Sequence, residues 1–240
     1  MIVLTEIELI NKIVSYIKTD ILENHISASI KTNSRLKAYK INPIVVKYLS
    51  KMLENGYTPL GVAKALYYPR VLSTSINTSF GTRIQKMFVK LELAKGSLLK
   101  GMDIEFFDLK DNVDRWCQLK SGPNTINSED VEPLIKKFTE IINRARTNIA
   151  FSGISNSSFI VGVIYGETTE LSLHYKEIDK IHPVFVGADF WHRLTGYENF
   201  YFGLVAALHT TIMNLNTENI IELGCLKLAS EIEKSSLFEF

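Results

Sequence analysis

Residues 101–127, GMDIEFFDLKDNVDRWCQLKSGPNTIN, decide how this chain is read. They hold two short strand-like segments, near 103–109 and 115–121, separated by the polar run Lys110-Asp111-Asn112-Val113-Asp114. Alternate residues of an extended chain face the same side, so Asp103 goes with Glu105 and Gln118 goes with Lys120. The polar run suits a turn, and a hairpin across it lets the two faces converge. Carboxylate, amide and ammonium groups then meet at one end of a sheet.

Outward from the hairpin, strands and helices alternate: a helix near 129–147, strands near 158–166 and 182–187, then helices through the C-terminus. The run FIVGVIYG at 159–166 is nearly all apolar, as a strand buried on both faces is. Residues 1 to about 100 have helical periodicity instead, broken by turns at 31–34, Asn42-Pro43, 56–59 and Tyr68-Pro69. The start, MIVLTEIELINKIVSYIKTDIL, lacks a basic leader and carries Glu6 and Glu8, so it reads as an amphipathic helix. The expected fold is α/β: a mixed central β-sheet flanked by helices, plus an N-terminal helical region.

The hairpin's side chains suit phosphodiester hydrolysis. Mg²⁺ takes oxygen ligands and keeps several waters, so one or two carboxylates and a substrate phosphate complete its shell. Asp103 is the leading ligand, and the backbone carbonyl of Leu119 is a further oxygen. Lys120 either orients or deprotonates the attacking water, or stabilises the crowded phosphoryl group as an ammonium; the sequence leaves both roles open.

Asp-x-Glu followed by QLKSGPNTIN at 118–127 resembles the PD-(D/E)xK nuclease superfamily, and within it the type II restriction endonucleases that cut interrupted, GC-rich palindromes of the GGNCC kind. SFGTRIQ at 79–85, opening a helix before the first strand, and VGADFWHRLTG at 186–196, leading from a strand into a helix, are similar to the same group. The resemblance implies a restriction-endonuclease-like core, a catalytic set of Asp103, Glu105, Gln118 and Lys120, a metal set of Asp103, Glu105 and Leu119, and Mg²⁺ as cofactor. The superfamily usually has Asp or Glu where Gln118 stands, and an amide is a neutral, weaker ligand. Glu105, or Glu92 from the preceding helix, is expected to restore the missing charge.

Charge supplies a substrate. The chain is only +1 overall, yet residues 31–100 hold 13 Lys or Arg against Glu54 and Glu92, a local balance of +11. Such asymmetry is an electrostatic footprint for nucleic acid. Lys31, Arg35, Lys37, Arg83 and Lys86 are the expected phosphate contacts. Ser121, Asn124, Thr125 and Asn127, on the loop leaving the second strand, are placed to reach base edges or phosphates, although Gly122-Pro123-Asn124 is equally good turn chemistry.

Other chemistries find no support. The five histidines lack metal-ligand spacing, and the two cysteines, Cys117 and Cys225, make neither a zinc motif nor a disulfide framework. There is no Walker A loop, no G-x-G-x-x-G and no G-x-S-x-G. With 46% hydrophobic residues the chain can bury a sizeable core, and no stretch is long enough to span a membrane. The expected organisation is a basic DNA-binding and dimerisation region at 1–100 and a catalytic core at 101–240, in one continuous globular unit. The expected activity is Mg²⁺-dependent cleavage of both strands of palindromic duplex DNA by a cytoplasmic homodimer, linked functionally to a DNA methyltransferase. A structure-specific repair or junction nuclease, and a DNA-binding module with a decayed site, are the alternatives.

Overall fold

The computed structural model describes residues 4–146, 154–217 and 219–238. Its helices are α1 (Glu6–Tyr16), α2 (Asn24–Ala28), α3 (Pro43–Glu54), α4 (Pro59–Pro69), α5 (Ile76–Lys90), α6 (Ser128–Arg146), α7 (Leu173–Asp179), α8 (Ala188–Thr195), α9 (Phe200–Met213) and α10 (Ile220–Glu233). Its strands are β1 (Lys95–Gly96), β2 (Ile104–Asp108), β3 (Val113–Lys120), β4 (Phe159–Val163) and β5 (Val184–Val186). Packing groups the chain into two compact units. One comprises Met1–Ser15 with Gly81–Thr210, the other Tyr16–Phe80 with Thr211–Phe240. These cuts fall at other points than residue 100, the boundary expected on functional grounds.

The first unit carries the expected α/β fold. Among the described residues the strands form one mixed sheet in the order β1-β2-β3-β4-β5. β1, β2 and β3 are antiparallel neighbours, whereas β3, β4 and β5 run parallel. The connections explain the change of direction. A tight turn can join only antiparallel strands, while α6 and α7 supply the crossovers that parallel pairs need. β4 is buried along its whole length, as its unbroken apolar run requires. One sheet face packs Phe159, Val161, Val163, Val184 and Val186 against Leu134, Phe138 and Ile142 of α6 and Tyr175 of α7. On the other face Phe106 meets Phe190 of α8 edge to face at 6.2 Å, and Phe88 of α5 meets Trp191 at 5.4 Å.

The β2–β3 turn is organised by Asp108. One carboxylate oxygen accepts from the N–H groups of Lys110 and Asp111, forming the turn. The other accepts from Arg115 and from Arg193 of α8, each at 2.9 Å. Asn112 takes the left-handed conformation that closes the hairpin, with φ 57°. Arg193 also reaches Asp111 and Asp189 and lies 3.8 Å over the Phe185 ring. Burial alone would raise the Asp108 carboxyl, but these donors outweigh it and hold it below the ordinary aspartate range. The α8 segment VGADFWHRLTG thus serves the hairpin through ion pairs and the core through aromatics. Gly187 at its start has φ +50°, and a Cβ there would stand 2.2 Å from the Gly166 carbonyl oxygen.

In the second unit, α3, α4 and α10 enclose a core of Val46, Val62, Tyr67, Cys225, Leu228 and Ile232. Breaks expected at Asn42-Pro43 and 56–59 are there. Asn42 caps α3 through the N–H groups of Ile44 and Val45, Thr58 caps α4 through that of Gly61, and a proline follows each cap. The break expected at 31–34 is there as well, where the π-helical segment Ser29–Asn33 ends in a turn at Ser34. The one at Tyr68-Pro69 is not, and helix runs on through a π-helical segment, Arg70–Ser75. A proline removes one N–H and crowds a carbonyl, and a wider turn absorbs both without ending the helix. The first expected helix is α1, capped by Thr5 and Glu8 bonding each other's N–H groups; its residues 1–3 lie outside the described part. The helix expected near 129–147 is α6, and residue 147 is likewise outside it.

Candidate active site

The register of the hairpin sets the site. Glu105 pairs with Trp116 and Ile104 with Cys117, so Glu105, Trp116, Gln118 and Lys120 share one face of the sheet. Burial alternates accordingly: Cys117 and Leu119 are buried on one side, Gln118 and Lys120 half-buried on the other.

Asp103 stands just before β2 and is tied to the edge of β3 twice. Its N–H donates to the Cys117 carbonyl at 2.9 Å, and its carboxylate accepts from the Leu119 N–H at 2.7 Å. A strand residue's N–H and C=O point to the same edge, so the Leu119 carbonyl is directed toward the same side as Asp103. The Lys120 carbonyl points the other way, accepting from the N–H of Ile164, just past β4, at 3.0 Å. Burial raises the Asp103 pKa; the Leu119 N–H, Lys137 and Lys120 pull against that rise and do not cancel it.

Lys137 of α6 was not singled out from the sequence. Its stem crosses the backbone at Gly101, where a Cβ would fall 1.7 Å from the lysine Cε and where φ is +102°. The positive φ favours glycine two residues before Asp103, and the missing side chain leaves room for the end of the lysine. The available signal is its position, at the border of the apolar stripe formed by Val131, Leu134, Phe138 and Ile142.

Gln118 provides the test for a cation. Its Oε1 is buried and has no hydrogen-bond partner, although buried polar atoms are nearly always paired. A bound cation satisfies such an oxygen. Together with the Asp103 carboxylate and the Leu119 carbonyl it gives an all-oxygen set of the kind Mg²⁺ prefers. The donor set is poor in charge: among the described residues no group of three or more His, Cys, Asp or Glu lies close enough to hold a metal.

Glu105 is also bonded to the neighbouring loop. One of its carboxylate oxygens accepts from the Ser97 hydroxyl at 2.6 Å and from the Leu98 N–H at 3.1 Å. With Glu92 it lines a cleft of about 870 Å³ beside β1 and β2, together with Lys95, Asp114 and Trp116.

The expected DNA contacts are placed as follows. Lys31, Arg35 and Lys37 are exposed in the second unit; in the first, Lys86 is exposed and Arg83 half-buried on α5. Ser121 is half-buried and Asn124 exposed. The Thr125 hydroxyl bonds the Gly122 carbonyl and the Tyr175 hydroxyl, each at 2.9 Å, which is turn construction. The Asn127 N–H donates to Asp130 at the start of α6 while the residue itself stays exposed.

The mixed sheet flanked by helices is consistent with a restriction-endonuclease-like core, and the chain falls in a class of enzymes that hydrolyse DNA, the type II restriction endonucleases. Residues 11–216 match the family model described as "Type II restriction endonuclease EcoO109I", and the chain belongs to that family. No curated protein matches it.

Proposed function

We propose that this enzyme is a Mg²⁺-dependent nuclease of the PD-(D/E)xK type that cuts both strands of a palindromic duplex, of the GG…CC kind with an unspecified central base. The observation that carries the metal reading is the buried, unpartnered Gln118 Oε1 next to the edge where Asp103 and the Leu119 N–H meet. Asp103, Gln118 Oε1 and the Leu119 carbonyl would hold the ion. When bound, it supplies an acidified water and positive charge at the phosphate.

The chain's own groups do the rest. Asp103 contributes the one carboxylate charge, its orientation fixed by the Leu119 N–H. Lys120 acts as an ammonium against the charge that grows on the phosphoryl oxygens, with Lys137 as a second cation near the same carboxylate. Glu105 supports the adjoining loop. The basic residues of 31–100, with Lys31, Arg35, Lys37, Arg83 and Lys86 among them, hold phosphates, and Ser121, Asn124, Thr125 and Asn127 face the bases or backbone near the cut. A palindrome is two-fold symmetric, so two copies act together, one site per strand, and a companion methyltransferase protects host sites.

Digestion of mapped plasmid DNA tests this reading. Discrete bands are expected with Mg²⁺ and none with EDTA. Asp103→Ala and Lys120→Ala should each lose at least about a hundredfold in cutting rate while still binding DNA. Normal cutting by either variant defeats the site assignment. Cleavage confined to junctions or flaps defeats the palindrome.

A further inference from the structure

The segment Lys95-Gly96-Ser97-Leu98-Leu99-Lys100-Gly101 leads into Asp103 and is built to push one apolar side chain into solvent. Leu98 is 96% exposed, the most exposed large hydrophobic residue among those described. Its neighbour Leu99 packs against the core. This difference is enforced by a scaffold. β1 pairs Lys95 with Glu105 and Gly96 with Ile104, and the Glu105 carboxylate then accepts from both the Ser97 hydroxyl and the Leu98 N–H. The Ser97 hydroxyl in turn accepts from the Leu99 N–H at 3.1 Å, and Met102 closes the loop by donating to the Leu99 carbonyl at 3.0 Å. A leucine exposed in a loop this well bonded is held out, not left out.

The loop's place identifies what it meets. The Ser97 N–H points at the Asp103 carbonyl at 3.4 Å, so the tip lies one hydrogen bond from the residue proposed to hold the metal. A duplex whose phosphate reaches Asp103 lies next to this loop, which is bonded to the Asp103 backbone. Lys95 and Lys100 flank Leu98 and are exposed, and Lys137 lies across Gly101; of the acids near them, Glu105 is bonded to the loop, and Glu92 and Asp114 line the cleft beside β1. Cations around an apolar tip suit a polyanion with hydrophobic base and sugar edges in its grooves.

We infer that Leu98 is an apolar wedge that enters a groove of duplex DNA next to the cleaved phosphate, with Lys95 and Lys100 on the phosphates at either side. The inference rests on the reading of Asp103 as the cation-holding carboxylate. It gives the loop a role in shaping the DNA, apart from phosphate binding and from the chemistry.

The test is binding of a short duplex spanning the mapped cut site, followed by fluorescence anisotropy in EDTA across a salt series. Leu98→Ala should weaken binding about tenfold through lost apolar burial, with the salt dependence unchanged because no counterion contact is removed. Lys100→Ala should lower the salt slope by about one. Leu98→Met should bind like the parent. A 2-aminopurine at the cut should brighten on binding the parent and stay dim with Leu98→Ala. If Leu98→Ala binds, brightens and cuts as the parent does, the wedge is refuted and the nuclease reading stands. A parent that binds no duplex refutes both. Sedimentation of DNA-free protein altered by Leu98→Ala would show that a second copy covers the tip, which also refutes it.

Discussion

Replacing Gln118 by Glu probes the cation site with a change of sign between two conditions. Without metal the substitution puts a carboxylate where an oxygen is already buried and unpartnered, close to Asp103, whose own pKa burial has raised. The parent already bears an unsatisfied oxygen there, and making that group a charged carboxylate adds a further cost of about 1–3 kcal/mol. A chain of this size loses about 2–4 °C of melting temperature per kcal/mol, so a fall of about 2–12 °C is expected in EDTA. With Mg²⁺ the second carboxylate becomes a charged ligand where the parent offers an amide. A ligand at a hundredfold over its Kd stabilises by about 2.7 kcal/mol, enough to reverse the deficit. The assay is thermal unfolding of DNA-free protein in EDTA and in a Mg²⁺ series, with calorimetric titration of Mg²⁺ into both proteins. The variant should melt below the parent in EDTA and at or above it in Mg²⁺. An equal depression in both conditions would mean that the Gln118 amide does not face a cation, and the argument from its unpartnered oxygen would fail.

Because the Asp103 pKa is raised by burial and a metal needs the ionised form, Mg²⁺ affinity should fall on acidification at a higher pH than for an ordinary aspartate near about 3.9. Calorimetric titration from neutral to mildly acid pH checks this, and an affinity that stays flat to about pH 4 opposes it. Arg193→Leu should cost about 3–5 kcal/mol in urea unfolding, since it strips the fully buried Asp108 of one of its two guanidinium partners; a loss under about 1 kcal/mol would dissolve the ion network. His182 is buried against Phe138, one ring nitrogen bonding the Asn156 carbonyl and the other unpartnered, and burial lowers its pKa. Its folded pKa lies below the unfolded value of about 6.5, so the unfolded chain takes up the proton first and stability falls as pH drops below that value; His182→Phe should flatten the urea midpoint across that window.

The hairpin was legible because both of its signals are local. Period-two alternation and a polar turn lie within twenty-odd consecutive residues, and the observed β2, β3, α6, β4 and β5 fall where that pattern places them. The breaks at Asn42-Pro43 and 56–59 were legible for the same reason, and Asn42 and Thr58 turn out to cap the helices that follow them. What escaped depends on partners far along the chain or on very short elements. β1 is two residues long, too short for any period, and exists because β2 offers a free edge. Lys137 lies over Gly101, a contact between residues 36 positions apart that no local pattern announces. Glu105 shares a face with Asp103 by spacing alone, but the bonds of one of its carboxylate oxygens to Ser97 and Leu98 depend on β1 lying beside β2. Arg193 meets Asp108 from 85 positions away, and nothing local in either stretch announces the pair.

The interleaving of the two compact units has a consequence for manufacture. Synthesis delivers residues 16–80 before residues 81–210, and their partners at 211–240 only after both. At about 5–20 residues per second, the helices at 16–80 wait several seconds for the segment that completes their core. The residues of the sheet-bearing unit are therefore all made before the helical unit can close.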